Sequence, residues 1–171
     1  MRLYRLAANQ GHAAAQCSLE SCYAKGRGVD KDEKEAVRLY RVAAEQGDAG
    51  AQYCLGVCYD NGRGVDQDEK EAVRFYRLAA DQGLAQAQYN LGTCYADGTG
   101  VHTDEIQAAH LYRLAADQGD VLAQYNLGLC YADGTGVDKD EIKAAHLYRL
   151  AADQGLAEAI HALSKVTLGA P

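Results

Sequence analysis

Cysteine is the residue type in this chain whose spacing could support chemistry, either as disulfides or as metal ligands. Cys22, Cys58, Cys94 and Cys130 recur at intervals of 36 residues. Equivalent positions in stacked helical units lie about 8–10 Å apart, which exceeds the roughly 7 Å between Cα atoms that a disulfide tolerates. Cys54 lies four residues before Cys58, but no second pair of histidines or cysteines completes a zinc site. We therefore interpret the cysteines as small apolar core residues in a reducing compartment, and we expect no metal.

Histidines and paired carboxylates are the other residues that could act chemically. His110 and His146 occupy equivalent positions, and we interpret them as surface or packing residues. The acidic pairs precede predicted helices, where capping explains them, whereas general acid–base catalysis would also need a pocket. The Gly-x-Gly-Val loops lack the Lys-Ser/Thr pair of a phosphate-binding loop. The histidines without a counterpart are His12, His102 and His161. We expect no catalytic residues and no cofactor.

These residues lie in a segment that recurs along the chain. Residues 76–111 return at 112–147 with only seven of thirty-six positions changed, looser copies span 4–39 and 40–75, and a fifth begins at Tyr148. In such arrays each unit buries its apolar face against the next, so stability grows with the number of neighbours. The changed positions are 84, 85, 86, 93, 102, 103 and 107. The pattern predicts a repeat array.

Two helices are predicted in each unit. Alanine, leucine, glutamine, glutamate and arginine favour helix, and the only proline is Pro171, so the fold class is predicted to be all-α. In the third copy the first helix is expected at 84–97 and the second at 105–118. Glycines at 26, 62, 98 and 134 are expected to end first helices, and those at 47, 83, 119 and 155 to end second helices. The expected N-caps of the second helices are Asp32, Asp68, Asp104 and Asp140, with Glu35, Glu71 and Gln107 completing capping boxes.

Helical spacing separates a packing face from an exposed face. Ala87, Leu91 and Tyr95 share one side of the first helix beside Gly92, whose missing side chain lets another helix come close. Large residues opposite small ones predict antiparallel helix pairs about 8–10 Å apart. In the second copy the facing stripe of the second helix is Ala72, Phe75, Tyr76, Ala79 and Ala80. At the position of Gly92 the outer units depart from this plan, with Glu20 in the first and Ser164 in the last.

The charge balance argues against nucleic acid as a partner. The net charge is −7, the isoelectric point is about 5.1, and no cluster of lysines and arginines forms the basic surface that phosphate binding needs. No secretory signal and no apolar run of roughly 20 residues is visible. We expect a cytoplasmic protein that does not bind membranes and is a monomer, with self-association as the alternative.

The repeated pattern AxAQYNLGxCYxxGxGVxxDxxxA…YRxAAxQG resembles the Sel-one-like repeat, a branch of the tetratricopeptide superfamily. Leu91-Gly92 and Tyr95 match the family's first helix, and Ala108 and Tyr112 match its second. The resemblance covers the whole chain and implies a right-handed α-solenoid of antiparallel helix-turn-helix repeats that serves as a scaffold for protein complexes. We divide residues 1–171 into the end of a preceding second helix at 1–11, repeats at 12–47, 48–83, 84–119 and 120–155, and a capping helix at 156–171.

The resemblance also implies that the first helices line a concave groove for a protein or peptide partner. The residues that would face this groove, here called the first-helix stripe, are Gly50, Tyr53, Val57 and Asn61, then Gln86, Tyr89, Thr93 and Asp97, then Leu122, Tyr125, Leu129 and Asp133. The first unit offers Ala14, Cys17, Ser21 and Lys25. The stripe varies between copies, as a binding face would, although exposed positions also drift without function. Its tyrosines could anchor a peptide or only stack between repeats.

Three functions are compatible with these patterns. The leading hypothesis is a non-catalytic protein–protein interaction scaffold or adaptor. The second is a purely structural or consensus-like array without a dedicated partner, because the third and fourth copies are nearly identical. The third is a hydrolase or β-lactam-binding protein like members of the family's cysteine-rich branch. We favour it least, because the paired cysteines of that branch and a Ser-x-x-Lys motif are missing.

Overall fold

The computed structural model describes residues 33–168, and these form eight α-helices with no β-strand among them. Their bounds are α1 Glu33–Glu45, α2 Ala49–Asn61, α3 Glu69–Asp81, α4 Ala85–Asp97, α5 Glu105–Asp117, α6 Val121–Asp133, α7 Glu141–Asp153 and α8 Ala157–Leu168. Even-numbered helices are the first helices of the repeats, and odd-numbered helices are the second. The predicted all-α class and its helix-turn-helix repeats are confirmed.

The described residues divide into two compact units, one that ends at Leu84 and one that begins at Ala85. In the described part of the first unit, α2 packs against both α1 and α3. In the second unit, each helix from α4 to α7 packs against the one that follows it. Consecutive helices are therefore antiparallel neighbours within each unit, as short connections between helices dictate.

The core of each unit is built from alanines that face a few large side chains. On α5, Ala108, Ala109, Ala115 and Ala116 are buried together with Tyr112, and they pack against buried residues of α6. The stripe predicted for the second helix of the second copy, residues 72, 75, 76, 79 and 80, is buried throughout α3. Because alanine occupies little space, the helices approach closely while tyrosine and leucine fill the remaining volume.

The glycine in the middle of each first helix is required by a tyrosine ring. A Cβ atom at Gly128 would lie 2.6 Å from Cε1 of Tyr148, and one at Gly56 would lie 2.5 Å from Cδ1 of Tyr76. Real Cβ atoms do not come this close to a neighbour, so any larger residue would displace the ring. The predicted close approach is confirmed, and the group that approaches is the tyrosine of the second helix. Ser164, at the equivalent position of α8, is exposed, and Glu20 lies outside the described residues.

The second helices are capped by aspartate, but the expected capping box does not form. Asp68 accepts hydrogen bonds from the backbone N–H groups of Lys70 and Glu71, as predicted. The backbone N–H of Asp68 donates to the carbonyl of Tyr59 at 2.9 Å, and the Glu71 carboxylate instead accepts from Arg74. The side chains of Asp104 and Asp140 likewise cap their helices. Their backbone N–H groups likewise donate to the carbonyls of Tyr95 and Tyr131, respectively. Asp32 lies outside the described residues.

The long glycine-rich loops of the second and fourth repeats rest on the second helix of the preceding repeat. Gly136 has a φ of +69°, and a Cβ atom there would overlap the backbone carbonyl of Glu105 at the start of α5. Nearby, the Arg113 guanidinium donates to the Tyr131 hydroxyl at 2.8 Å, which ties α5 to α6. Gly64 contacts Glu33 in the same way in the first unit. These contacts join successive repeats away from their apolar core.

Candidate partner-binding face

The first-helix stripe lies on the surface of each unit. In the first unit it lies on α2, where Gly50 and Asn61 are exposed and Tyr53 and Val57 are half-buried. In the second unit it lies on α4 and α6. The aspartate that ends each of these two helices is exposed, and the stripe tyrosine of each is half-buried. The four stripe residues of the first repeat, at positions 14, 17, 21 and 25, lie outside the described residues.

Each stripe tyrosine rests on the tyrosine of the second helix in the same repeat. The ring centroids are 5.9 Å apart for Tyr89 and Tyr112 and 5.8 Å apart for Tyr125 and Tyr148, in tilted pairs. Tyr53 makes the equivalent contact with the ring at position 76 at 6.0 Å. Such pairs stabilise beyond the area they bury. One side of each stripe tyrosine is therefore held rigidly by its own repeat.

A hydroxyl network occupies the centre of the stripe on α4. Tyr112 donates to Thr93 Oγ1 at 3.3 Å, and Thr93 Oγ1 donates to the Tyr89 carbonyl at 3.2 Å. Burial raises the pKa of Tyr112, whereas hydrogen bonds with Thr93 and Asn126 lower it. The polar side chain of Thr93 is thus engaged by its own repeat.

The position on α6 that is equivalent to Thr93 of α4 is apolar. Leu129 replaces the threonine and is 37% exposed, and Leu122 at the start of the helix is 46% exposed. Burial, with nearby Tyr125, Asp133 and Cys130 adding to it, raises the pKa of Tyr148 to about 12. The fourth repeat therefore presents an apolar surface where the third presents a polar one.

The cysteines lie in the helix packing and form no disulfide among the described residues. Cys94 and Cys130 are buried, as predicted, whereas Cys54 and Cys58 are half-buried. Burial raises the pKa of the Cys130 thiol, which disfavours the reactive thiolate. No group of three or more possible metal ligands occurs in residues 33–168. Cys17 and Cys22 lie outside this range.

A second concave feature lies in the first unit. This cleft of about 630 Å³ lies between α1 and the loop that follows α2. Its Arg41 donates to the Tyr59 hydroxyl at 2.8 Å, so that cation is already engaged. The full lining is Lys34, Arg41, Tyr59, Gly62, Gly64, Val65, Asp66, Gln67 and Asp68. Cations and carboxylates are mixed here, so the cleft has no single charge preference.

A set of buried glutamines links the helices, and their role was not predicted from the sequence. Gln124 is 5% exposed, accepts a hydrogen bond from Gln154 at 2.9 Å and donates to the Ala116 carbonyl at 3.4 Å. The pairs of residues 52 with 82 and 88 with 118 repeat this contact at 2.7 and 2.8 Å. The available signal was a glutamine that recurs unchanged between apolar residues of the first helices. Ile160 replaces it in α8.

Five stretches of the chain, 1–12, 13–48, 49–84, 85–120 and 121–156, match the model of the Sel1 repeat. The chain belongs to the Sel1 repeat family. Sel1 repeat proteins generally mediate protein–protein interactions as scaffolds, and their fold is typically non-catalytic. The resemblance predicted from the sequence is thereby confirmed. None of the eight helices is long and apolar enough to cross a lipid bilayer.

Solved Sel1 repeat structures are similar to this chain. A protective antigen of uropathogenic Escherichia coli with an SLR fold is 41% identical with a TM-score of 0.90, over 92% of this chain and 34% of that one. A Sel1 repeat protein from Oxalobacter formigenes is 39% identical with a TM-score of 0.86, over 91% of this chain and 62% of that one. The cysteine-rich protein B of Helicobacter pylori is 25% identical with a TM-score of 0.61, over 78% of this chain and 96% of that one. A search of curated proteins gave no match.

Proposed function

We propose that this Sel1 repeat protein is a non-catalytic adaptor that binds a protein or peptide segment on its first-helix stripe. The observation that carries the proposal is the surface of α6, where exposed Leu122 and Leu129 flank half-buried Tyr125. The spacing of three and four residues places the three side chains on one face of the helix. Grouped exposed apolar side chains on a folded protein are typical of interaction sites.

The geometry of Tyr125 suits an anchor for a partner. Its ring is packed on Tyr148 from one side, so little side-chain freedom is lost when a partner covers the other side. Tyrosine is enriched among the residues that dominate binding energy. The neighbouring leucines would exclude water from that contact. The supporting family tendency is that Sel1 repeat proteins generally bind other proteins.

The test compares two double variants in a quantitative pulldown from cells that express the protein naturally. Leu122→Glu with Leu129→Glu disrupts the proposed face. Leu114→Glu with Leu150→Glu is the matched control, because these leucines of α5 and α7 are each 38% exposed in the same unit. We expect the proteins recovered with the natural chain to be retained by the control and lost from the stripe variant. Circular dichroism verifies that all three chains are equally helical.

Three outcomes would contradict the proposal. Equal recovery with both double variants would place the binding surface elsewhere. If the natural chain recovers no specific protein, the structural-array hypothesis would be favoured instead. Loss from both variants would point to a general effect of surface charge rather than to this face.

A further inference from the structure

The first-helix stripe of the second unit carries charge of only one sign. Its helices α4 and α6 each contain a single charged side chain, Asp97 and Asp133, and each is the exposed last residue of its helix. The partial negative charge of a helix C-terminus adds to that of the carboxylate. The described lysines and arginines of this unit lie on other elements, at positions 113, 139, 143, 149 and 165.

Three of those cations are already engaged. Arg113 donates to Tyr131, Lys139 pairs with Glu141 at 3.2 Å, and Lys143 pairs with Asp140 at 3.2 Å. None of these contacts involves a stripe residue. These three cations therefore do not neutralise Asp97 or Asp133 by a direct ion pair.

The apolar and acidic groups of α6 follow one line along the helix. Leu122, Tyr125, Leu129 and Asp133 are spaced by three, four and four residues. Four residues of helix advance about 6 Å, and two residues of an extended chain advance about 6.6 Å. Alternate side chains of an extended segment point the same way. Such a segment along α6 would therefore match Tyr125, Leu129 and Asp133 with every second side chain.

A buried hydroxyl beneath this line lacks the partners that its counterpart has. Tyr112 is hydrogen-bonded to Thr93 and influenced by Asn126. At the equivalent positions around Tyr148 the chain has Leu129 and Ala162. Tyr148 is 3% exposed, and no hydrogen bond of its hydroxyl is found within the described residues. Tyr148 therefore differs from Tyr112 in its surroundings, and the surface above it is apolar at Leu129.

We propose that the partner is an extended, cationic segment that places apolar side chains on Leu122, Tyr125 and Leu129 and an arginine or lysine against Asp133. This inference rests on the proposed function and gives the partner its chemistry. Acidic segments would be repelled by Asp97 and Asp133, and a second copy of this chain, with a net charge of −7, is a poor electrostatic match. Arginine fits especially well, because its guanidinium binds carboxylates with two parallel hydrogen bonds.

The experiment begins with a random dodecapeptide library displayed on phage and selected on the natural chain. We expect the enriched peptides to carry an arginine or lysine two residues from an apolar residue. Their affinities are then measured for Asp133→Lys and for Asp117→Lys by fluorescence polarisation. Asp117 is the matched control, because it is also the exposed last residue of a 13-residue helix in the same unit.

The charge reversal has a defined expected result. Asp133→Lys should weaken the enriched peptides about tenfold or more, whereas Asp117→Lys should leave them nearly unchanged. A peptide whose basic residue is replaced by glutamate should bind the Asp133→Lys variant well and the natural chain poorly. Circular dichroism of both variants excludes unfolding as the cause.

The outcomes separate this inference from the proposed function. Enriched peptides that are acidic or uncharged, yet lose binding with Leu122→Glu and Leu129→Glu, would overturn the cationic partner while the binding face stands. Peptides that ignore those two substitutions, or the absence of any enriched peptide, would count against both. An equal effect of Asp133→Lys and Asp117→Lys would show a general charge effect and would also overturn the inference.

Discussion

At the scale of single residues, the glycine in the middle of a first helix has no room for a side chain. Gly128 faces the Tyr148 ring so closely that a methyl group would come within 2.6 Å of it. In most helix interiors an alanine is better than a glycine by about 1 kcal/mol. Here the ring contact reverses that preference, so the identity of one residue depends on another twenty positions away.

Gly128→Ala is therefore expected to destabilise the protein by about 1–3 kcal/mol through overpacking. In a Tyr148→Ala background the same change should be neutral or stabilising, because the ring is gone. Urea unfolding of the four chains of this double-mutant cycle measures the difference. An equal cost in both backgrounds would show that the ring is not the reason for the glycine.

At the scale of helices, buried glutamines connect each second helix to a neighbouring first helix. Gln124 of α6 accepts a hydrogen bond from the side chain of Gln154, which follows α7. It also donates to the carbonyl of Ala116 in the last turn of α5. It thus connects three helices through one side chain. Asp140 adds a second link, because its N–H donates to the carbonyl at position 131 of α6 at 2.8 Å.

Gln124→Ala is expected to lower the free energy of unfolding by about 1–3 kcal/mol, since it leaves buried polar groups without partners. Gln154→Ala should cost less, because Gln124 keeps its bond to Ala116. Exposed Gln86→Ala is the control and should stay within about 0.5 kcal/mol of the natural chain. Chemical denaturation checks the order, and a Gln124→Ala cost no larger than that of Gln86→Ala would contradict it.

At the scale of the whole molecule, the charge is uneven between the two kinds of helix. Of the first helices, α2, α4 and α6 contain no lysine or arginine and α8 contains only Lys165, whereas each described second helix contains at least one. The net charge of −7 adds a long-range attraction for cations to the local effect of the stripe aspartates. This chain spans about a third of the Escherichia coli antigen and 62% of the Oxalobacter formigenes protein.

The association rate of a selected basic peptide should rise about tenfold when salt falls from about 0.15 M to about 0.01 M, because the screening length grows from roughly 8 to 30 Å. Its dissociation rate should change much less. Stopped-flow fluorescence measures both rates. A peptide with serine in place of the basic residue serves as the control, and an equal salt dependence for the two peptides would contradict the electrostatic argument.

Local patterns were enough to predict much of this architecture. The expected helices at 84–97 and 105–118 are observed as α4 and α5 with ends that differ by one residue or none. Asp68 and Gly134 act as the caps that their types indicate. These features depend on neighbours within one helical turn, which is why composition and spacing reveal them. The stripe residues and their partner stay predictions, because binding depends on a molecule outside the chain.

The sequence by itself determined the period, the helices, their apolar faces and the family, because each is written in short-range spacing that repeats along the chain. The tertiary structure decided which groups meet across helices. It directed the N–H of Asp68 to Tyr59 rather than to Glu71, paired Tyr125 with Tyr148 inside one repeat, and buried Gln124 between three helices. Such contacts join residues that are eight to thirty positions apart, and their geometry follows only from how the helices pack.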